Sequence, residues 1–470
     1  MDEESESRPS PDNFLEYLPW ACKQLQMQCE IVVSKIYQNE YVSVTMAEKS
    51  KKVKSKIKLT TSRYDVNSDQ DRDDASEAGL QPIVADNKVI RISAVFDTFD
   101  NLVEIRFERN FRIPRMVFKV IALIIKFQLF VNKITIRGGM DKYTVYEINK
   151  LMTSSNLTEI CFDGSFLKEA NYDILLENST SIRSLSLSRC KIGDDVIKKI
   201  SEKLTFPAPA SLTLNILNIS TNRLTDIGAK YIAEALRTNR RLCYLNISGN
   251  RITDNGLSYI LDSLVEFPLS CDELISARSR HMLYLKQKNI LIERMIEEIK
   301  AGEFDKRVAR RKSTRVPAVR RNKLEKESSL KSLADAKSLA NMDIFYYDKA
   351  VSLVENTLGE FNDPYSSSNT IERHGTVYCM GCNTLCYLNV AYNNLSYLSV
   401  KKFLSVLLHQ KLIDRKPRGL INLCIEGNNL PSSCREFLQI DDLLDAGLLI
   451  HSRRYSNASK KRPQSKNTPR

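Results

Sequence analysis

One short segment comes nearest to a metal site. The spacing H-x4-C-x2-C-x3-C occurs once in the chain, in His374, Cys379, Cys382 and Cys386. Imidazole and thiolate are the ligands that tetrahedral zinc prefers, but a lone C-x-x-C motif is weak support for a metal. Cys386 also falls in a strand pattern that recurs around Cys243 without any metal motif. We therefore expect no metal or other cofactor, and keep these four residues as an alternative, a zinc site.

No catalytic motif accompanies that segment. The chain has only 4 histidines, and none lies beside a recognisable nucleophile motif. The phosphate-binding pattern G-x-x-x-x-G-K-[ST], the nucleophile elbow G-x-S-x-G and the zinc-protease pattern H-E-x-x-H do not occur in the sequence. We therefore predict that the protein is not an enzyme.

Two basic runs dominate the net charge. The 470-residue chain has a formal charge of +13, and Lys306–Lys331 holds 11 basic and 2 acidic residues, while Arg453–Arg470 holds 7 basic and none acidic. Such runs usually stay solvated, so we predict flexible arms that add attraction to an acidic or cytoskeletal protein partner. Nucleic acid is a less favoured alternative, because the internal run lacks aromatic residues for stacking on bases.

The internal run also contains a candidate modification site. Arg310-Arg311-Lys312-Ser313 resembles the target of a basophilic kinase. Phosphorylation of Ser313 would lower the local positive charge by about two units, so we hypothesise that it regulates this arm.

Cysteine usage and hydropathy predict the compartment. The 11 cysteines are odd in number and are not spaced like disulfide staples, which favours a reducing, cytoplasmic environment. The acidic start of the chain lacks the profile of a secretory signal. The most apolar segment, Met116–Val131, is interrupted by Lys119 and Lys126 and is shorter than the roughly 20 residues that span a bilayer. We predict an amphipathic helix there and no membrane span.

The strongest pattern in the chain is a repeat. Leu214–Leu236 reads LNILNISTNRLTDIGAKYIAEAL, and Leu242–Leu264 reads LCYLNISGNRITDNGLSYILDSL, 28 residues later. Each copy opens with the L-x-x-L-x-L alternation of a half-buried strand and continues through a T-D-x-G turn into helical spacing. One strand and one helix cannot bury their own apolar faces, so neighbouring copies must stack.

Other copies extend the array on both sides. The template predicts eight strands: Leu102–Phe107, Val131–Ile136, Leu157–Phe162, Ile182–Leu187, Leu214–Ile219, Leu242–Ile247, Leu385–Val390 and Leu420–Ile425. The strands at Leu242 and Leu385 share the string LCYLN, so we predict that they pair across the intervening residues. A polar residue after each strand should satisfy the backbone of the turn: the structural ladder is Asn110, Cys190, Asn222, Asn250, Asn393 and Asn428.

These repeats divide the chain into predicted domains. Residues 1–88 form an N-terminal extension, mostly disordered, with one helix within Phe14–Tyr37. Residues 89–265 hold the first repeats, beginning with a capping strand at Val89–Ala94. Residues 266–384 form a basic insertion, helical and disordered, residues 385–451 hold the last repeats and a helical cap, and residues 452–470 form a basic tail.

The repeated segment resembles leucine-rich repeats of the ribonuclease-inhibitor type. That resemblance implies an α/β solenoid, a horseshoe with a parallel concave sheet and convex helices, and a scaffold for protein–protein interaction. Its inhibitor relatives imply an alternative, a regulator of an enzyme bound on the concave face. An array broken by a basic segment before its last two repeats also resembles cilium-associated members of the family, which implies a place at the cilium or axoneme.

A solenoid of this kind commonly binds its partner on the concave face. The exposed strand positions there include three tyrosines, which supply contact area and a polar tip. The predicted binding residues are Arg183, Ser186, Arg189, Asn218, Tyr244, Asn246, Tyr387, Asn389 and Tyr392.

Overall fold

A computed structural model describes residues 8–38, 89–177, 181–313, 330–431 and 433–458, with side chains described in these ranges except at 303–313, 330–343 and 449–458. Three predictions concern residues that lie wholly or mostly outside the described side chains: the arm Lys306–Lys331, the modification of Ser313 and the tail Arg453–Arg470. Residues 39–88 also lie outside the description.

The chain divides into two compact units. The first consists of Met1–Phe267 with Met380–Arg470, and the second is Pro268–Cys379. Within the described residues the strands are β1 Glu30–Tyr37, β2 Val89–Phe96, β3 Leu102–Phe107, β4 Lys133–Ile136, β5 Glu159–Cys161, β6 Ser184–Ser186, β7 Ile216–Asn218, β8 Tyr244–Asn246, β9 Phe267–Pro268, β10 Thr370–Arg373, β11 Thr376–Cys379, β12 Tyr387–Asn389 and β13 Asn422–Cys424.

The helices alternate with these strands. The α-helices are α1 Phe14–Gln24, α2 Arg115–Ile124, α3 Thr144–Thr153, α4 Asp194–Leu204, α5 Pro209–Thr213, α6 Asp226–Thr238, α7 Asp254–Asp262, α8 Cys271–Ser313, α9 Leu330–Leu358, α10 Tyr397–Ile413 and α11 Arg435–Ala458. Short 3-10 turns occupy Ile125–Phe127, Tyr172–Leu176 and Ser367–Asn369. None of the helices in the described residues is long and apolar enough to cross a membrane.

The first unit is built on a ten-stranded sheet. Its strand order is β1-β2-β3-β4-β5-β6-β7-β8-β12-β13, and all neighbours are parallel except β2 and β3. The middle leucine of each strand, such as Leu217, Leu245 and Leu388, is buried in one continuous core. The predicted leucine-rich solenoid is confirmed, and each of the eight predicted repeat strands lies in this sheet.

The predicted pairing of the two LCYLN strands is also confirmed. β12 pairs directly with β8, in the register Tyr244 with Tyr387, Leu245 with Leu388 and Asn246 with Asn389. The amide of Cys382 donates to the Ser263 carbonyl at 2.9 Å, so the returning chain is also tied to the end of α7. The sheet is therefore continuous although the sequence is interrupted.

The ladder residues close the turns between neighbouring repeats. The Asn250 side chain accepts from the amides of Asn222 and Leu224 and donates to the carbonyls of Ile219 and Ile247. Asn393 repeats this pattern across the break, since its amide donates to the Ile247 carbonyl at 3.1 Å. Buried backbone groups need such partners, so the ladder binds each repeat to the one before it.

A second ladder of carboxylates links the starts of the helices. Asp226, in the first turn of α6, accepts from the amide and hydroxyl of Thr253 in the next repeat at 2.7 and 2.6 Å. A Cβ on Gly256 would lie 2.3 Å from the Asp226 carboxylate. The T-D-x-G string therefore does more than form the predicted turn. Its aspartate binds the threonine that caps the next helix, and its glycine leaves room for the aspartate of the previous repeat.

The N-terminal edge differs from the sequence prediction. A single helix was expected within Phe14–Tyr37, but the structure has α1 followed by β1, which adds a strand to the sheet. The segment EIVVSKIY of β1 is rich in β-branched residues that favour strands. Phe14, Leu18 and Cys22 of α1 are buried in the same core as the repeats, so α1 and β1 cover the first edge of the array. The predicted capping strand is present as β2.

The second unit consists of two long helices and a β-hairpin. Ile292 of α8 packs against Ala350 and Val354 of α9, while β10 pairs antiparallel with β11. Leu283 and Ile290 of α8 are exposed.

The segment Asp363-Pro364-Tyr365 is anchored in this unit. Asp363 is 1% exposed and accepts two hydrogen bonds from the Arg280 guanidinium, at 2.6 and 3.1 Å. The Asp363 carboxylate also accepts from the Tyr365 amide. A buried bidentate pair of this kind fixes the chain, which the polar composition of Asp363-Pro364-Tyr365 did not indicate.

Candidate functional site on the concave face

The structure brings most of the predicted binding residues together on one side of the sheet. Six of them occupy outward positions of β6, β7, β8 and β12: Ser186, Asn218, Tyr244, Asn246, Tyr387 and Asn389. Arg183 precedes β6, while Arg189 and Tyr392 follow β6 and β12, and all three are exposed. These residues are therefore placed where a concave-face ligand could reach them; their role in binding stays a prediction.

The backbone is left-handed at the same point in successive turns. The residue before the ladder position has a positive φ in six repeats, and it is glycine in three of them: Gly164, Gly249 and Gly427. In the others the residue carries a side chain: Arg189 at φ 57°, Thr221 at φ 54° and Tyr392 at φ 54°. A side chain costs roughly 1–2 kcal/mol in this conformation. The two residues with large side chains, Arg189 and Tyr392, are both exposed, which favours a functional role for them.

The C-terminal part of the concave face is aromatic. We call Tyr244, Tyr387 and Tyr392, with the asparagines beside them, the tyrosine strip. The rings of Tyr244 and Tyr387 stack with centroids 4.1 Å apart and planes 5° from parallel. The Tyr392 side chain lies against Gly427, where any Cβ would come within 2.3 Å of its ring, yet Tyr392 remains 68% exposed.

The asparagines of the strip present donors to solvent. Asn246 and Asn389 each use the side-chain oxygen to accept from the backbone amide two residues later, at 3.1 and 3.0 Å. This fixes the orientation of both amide groups. Burial first, and then a hydrogen bond with the Cys424 thiol, raise the pKa of Tyr387, so its hydroxyl stays protonated at neutral pH. The strip can therefore offer aromatic area and hydrogen bonds without charge.

The N-terminal part of the concave face is charged. An open groove of about 1370 Å³ lies over strands from β2 to β6 and the turns that follow β3 to β7. We call it the basic groove, because six cationic side chains line it against three carboxylates. The cations are Arg91, Arg106, Arg109, Lys133, Arg137 and Arg189; the carboxylates are Glu104, Glu108 and Asp163.

The carboxylates of the groove are engaged by their neighbours. Glu104 and Arg106 form a nearly buried bidentate pair, with contacts of 2.9 and 3.1 Å, and Thr135 donates to the same carboxylate. Burial alone would raise the pKa of Glu104, but the hydrogen bonds from Arg106 and Thr135 outweigh it and hold the pKa below its ordinary value. The pair therefore stays ionised and forms a rigid floor.

The other two carboxylates are held at the wall. Glu108 accepts from Arg137 at 2.9 Å and from Ser93 at 2.7 Å. Asp163 accepts from the Ser186 hydroxyl at 2.6 Å and from the Ser188 amide at 3.0 Å. In contrast, Arg91, Arg109, Lys133 and Arg189 form no ion pair with any described residue.

Most of the groove was missed by sequence reasoning. The prediction named Arg189, but not Arg91, Arg109, Lys133 or the pair Glu104 and Arg106. The segment LVEIRF of β3 could have indicated the pair, because Glu104 and Arg106 flank the buried Ile105 and so share one face of the strand.

The thiols near the concave face are not activated nucleophiles. Burial first, and then the Asp163 carboxylate, raise the pKa of Cys161 to about 11 and that of Cys190 to about 12. Burial, followed by the neighbouring thiols of Cys243 and Cys382, raises the pKa of Cys386 to about 11. Reactive cysteines instead have lowered pKa values.

The alternative zinc site gains no geometric support. Within the part of the chain that the structure describes, no group of three or more histidine, cysteine, aspartate or glutamate side chains is arranged to hold a metal ion. His374 is exposed and has a left-handed backbone. Cys379 and Cys382 are buried, and Cys386 takes the strand position equivalent to Cys243, as the shared LCYLN string suggested.

Comparison with known proteins identifies the repeats. The family described as "Leucine Rich repeat" matches residues 178–201, 210–233 and 238–261. No curated protein sequence matches the chain significantly. Among solved structures, an internalin from Listeria monocytogenes aligns over 75% of this chain and 72% of its own, with 12% sequence identity and a TM-score of 0.31.

Proposed function

We propose that this protein, whose central segment consists of leucine-rich repeats, is a non-catalytic scaffold that binds a protein partner on its concave face. Leucine-rich repeat domains in general serve as surfaces for protein–protein interaction, and a solenoid offers its curved sheet to the partner. The raised pKa values of the cysteine thiols near that sheet agree with binding rather than nucleophilic catalysis.

The observation that carries the proposal is Tyr392. Its ring is 68% exposed although its backbone occupies a conformation that glycine adopts without cost. The next repeat leaves room for the ring by having glycine at position 427. A solvent-exposed aromatic side chain held at an energetic cost beside two stacked tyrosines is the arrangement expected of an interface anchor.

A cross-linking experiment tests this proposal. A photoreactive phenylalanine analogue is placed at Tyr392 and, as the matched control, at Tyr259, which is 46% exposed on α7. We expect one protein to cross-link at position 392 but not at 259, and to be lost when Tyr244 and Tyr387 are both changed to alanine. Equal cross-linking at both positions, or retention in the double alanine variant, would contradict binding at the strip.

The resemblance to cilium-associated members of the family extends the proposal to a place at the cilium or axoneme in the cytoplasm. The supporting feature is layout alone, a basic segment inserted before the last two repeats. Imaging of the tagged chain in ciliated cells tests it: we expect signal along the axoneme, and a signal spread evenly through the cell would contradict it.

A further inference from the structure

The basic groove has a charge pattern that the tyrosine strip lacks. Its floor is the neutralised pair of Glu104 and Arg106, and its other carboxylates accept from neighbouring side chains or amides. Arg91, Arg109, Lys133 and Arg189 line the groove and form no ion pair within the described chain, although Lys133 still attracts the Glu104 carboxylate. Six cationic side chains against three carboxylates leave the groove with an excess of positive charge. A ligand that carries negative charge would balance the positive charge of these side chains.

The cations are spread along the groove and are not gathered at one point. They belong to β2, to the turn after β3, to β4 and to the turn after β6, and neighbouring strands lie about 4.8 Å apart. Four strand steps therefore cover about 19 Å. An extended peptide advances about 3.3 Å per residue, so about six residues of a peptide would span the four positions.

We infer that the basic groove binds an acidic, extended segment of a protein partner, about six residues long, that crosses strands β2 to β6. Arginine guanidinium groups match carboxylates in a bidentate manner, and several carboxylates suit the spread of charge better than one phosphate does. No aromatic side chain is found among the described residues that line the groove, which disfavours the bases of a single-stranded nucleic acid. The inference rests on the proposed function and adds the chemical nature of the partner.

Arg189 supports this assignment independently of charge counting. It keeps an arginine side chain at a left-handed position where Gly164 and Gly249 keep none. The conformation places a cation at the end of the groove nearest the tyrosine strip, so one ligand could contact both parts of the concave face.

The test measures binding of a defined peptide to the full chain. The probe is a fluorescein-labelled peptide of six glutamates flanked by glycine and serine, followed by fluorescence anisotropy. We expect the double variant Arg109→Gln, Lys133→Gln to weaken binding about tenfold, since it removes two partly shielded ion pairs. The matched control is Lys199→Gln, Lys230→Gln, which removes the same charge from exposed positions of α4 and α6 and should change affinity less than about twofold.

Three results would overturn the inference. One is an equal loss in both double variants, which would mean that only net charge matters. Another is equal binding of a six-glutamine peptide. The third is tighter binding of a peptide with a single phosphoserine, or of a uridine hexanucleotide, than of the glutamate peptide. Circular dichroism checks that each variant is folded, and Arg189→Gln alone provides a second, milder variant.

The outcome can be separated from that of the proposed function. If the cross-link at position 392 persists while the glutamate peptide shows no preference for the groove, only the inference about the acidic segment fails. If the peptide requires Arg109 and Lys133 but no protein cross-links at position 392, the tyrosine strip is not the interface, and the groove remains a binding site.

Discussion

The basic groove and the tyrosine strip occupy the same sheet but recognise in different ways. The groove places charges on β2 to β6 and its recognition should weaken with salt, because exposed charges are screened at short range. The strip relies on stacked rings and oriented amides on β7, β8 and β12, which salt affects little. The same sheet supports both, so the difference lies in the side chains at outward strand positions and in the turns that follow the strands. One solenoid can therefore combine an electrostatic contact with an aromatic one.

The largest expected effect on stability comes from weakening the contact between the repeats of β8 and β12, where the sequence of the array is interrupted. Asn393→Ala removes hydrogen bonds to Ile247, Val390 and Ile252 and leaves buried backbone groups without partners. We expect a loss of about 3–4 kcal/mol in the free energy of unfolding, measured by urea denaturation. Hydrogen exchange should then increase at β12 much more than at β4.

The neighbouring residue supplies the control for this change. Asn394 has an exposed side chain, so Asn394→Ala should alter stability by less than about 0.5 kcal/mol. If hydrogen exchange rose equally at β4 and β12 in the Asn393 variant, the groove and the strip would unfold together, and the groove would have no stability of its own.

A smaller effect tests the floor of the groove. Glu104→Gln removes the negative charge that pairs with Arg106, and we expect a loss of about 2 kcal/mol at pH 7, less than for a fully buried pair because the groove is open. The pKa of Glu104 is lowered in the folded state, so its stabilisation is present above the unfolded-state pKa and disappears as the pH falls through the folded-state pKa. The difference in stability between wild type and variant should therefore shrink below about pH 4.

The matched variant belongs to the same floor. Thr135→Val removes only the neutral hydrogen bond to Glu104 and should destabilise by about 1 kcal/mol. A stability difference for Glu104→Gln that did not change between pH 7 and pH 3 would contradict the ionised pair.

The smallest expected effects have opposite signs for folding and for binding. Arg189→Gly and Tyr392→Gly relieve left-handed strain, and after the added entropy of the unfolded chain we expect stabilisation of about 0.5–1 kcal/mol, measured by thermal unfolding. Arg189→Gly should weaken binding of the glutamate peptide, whereas Tyr392→Gly should leave the peptide unaffected and weaken co-precipitation of the protein partner.

Thr221→Gly is the control at the same point of the repeat. It should stabilise to a similar extent and change either binding activity by less than about twofold, because Thr221 lines the edge of the groove but contributes no charge or ring. A variant at position 189 or 392 that became less stable would show that the side chain stabilises the fold by packing and is not retained at a cost in backbone strain.

The two regions also differ in how well the sequence predicted them. The strip lies where the repeat pattern is strongest. The repeat Leu242–Leu264 and the shared LCYLN string predicted its tyrosines, its asparagines and the register of β8 with β12. The groove lies where the repeat pattern is weak, because Gly139 and Ser165 occupy the ladder position that asparagine fills in the later repeats. There the outward face of β3 could not be assigned without knowing that Glu104 and Arg106 satisfy each other. β1 was missed because 51 residues separate it from β2, its sheet neighbour.

Asp226 shows a different limit. Its place in a helix N-terminus was readable from the T-D-x-G string, but its partner Thr253 belongs to the following repeat. When each repeat is considered alone, such a residue is assigned to its own helix. Its contact with the next repeat becomes apparent only when the distance between stacked repeats is known.

The pairing of β8 with β12 also determines what an insertion costs this fold. The side-chain nitrogen of a ladder asparagine and the carbonyl to which it donates are 31 residues apart within the regular array and 146 apart across the break. Loop-closure entropy grows only with the logarithm of length, so the longer connection costs about 1.5 kcal/mol more than an ordinary one. A repeat array can therefore accept a whole additional unit between two repeats for less than the contribution of one ladder asparagine. The boundary between repeats is thus an inexpensive place to acquire a new unit.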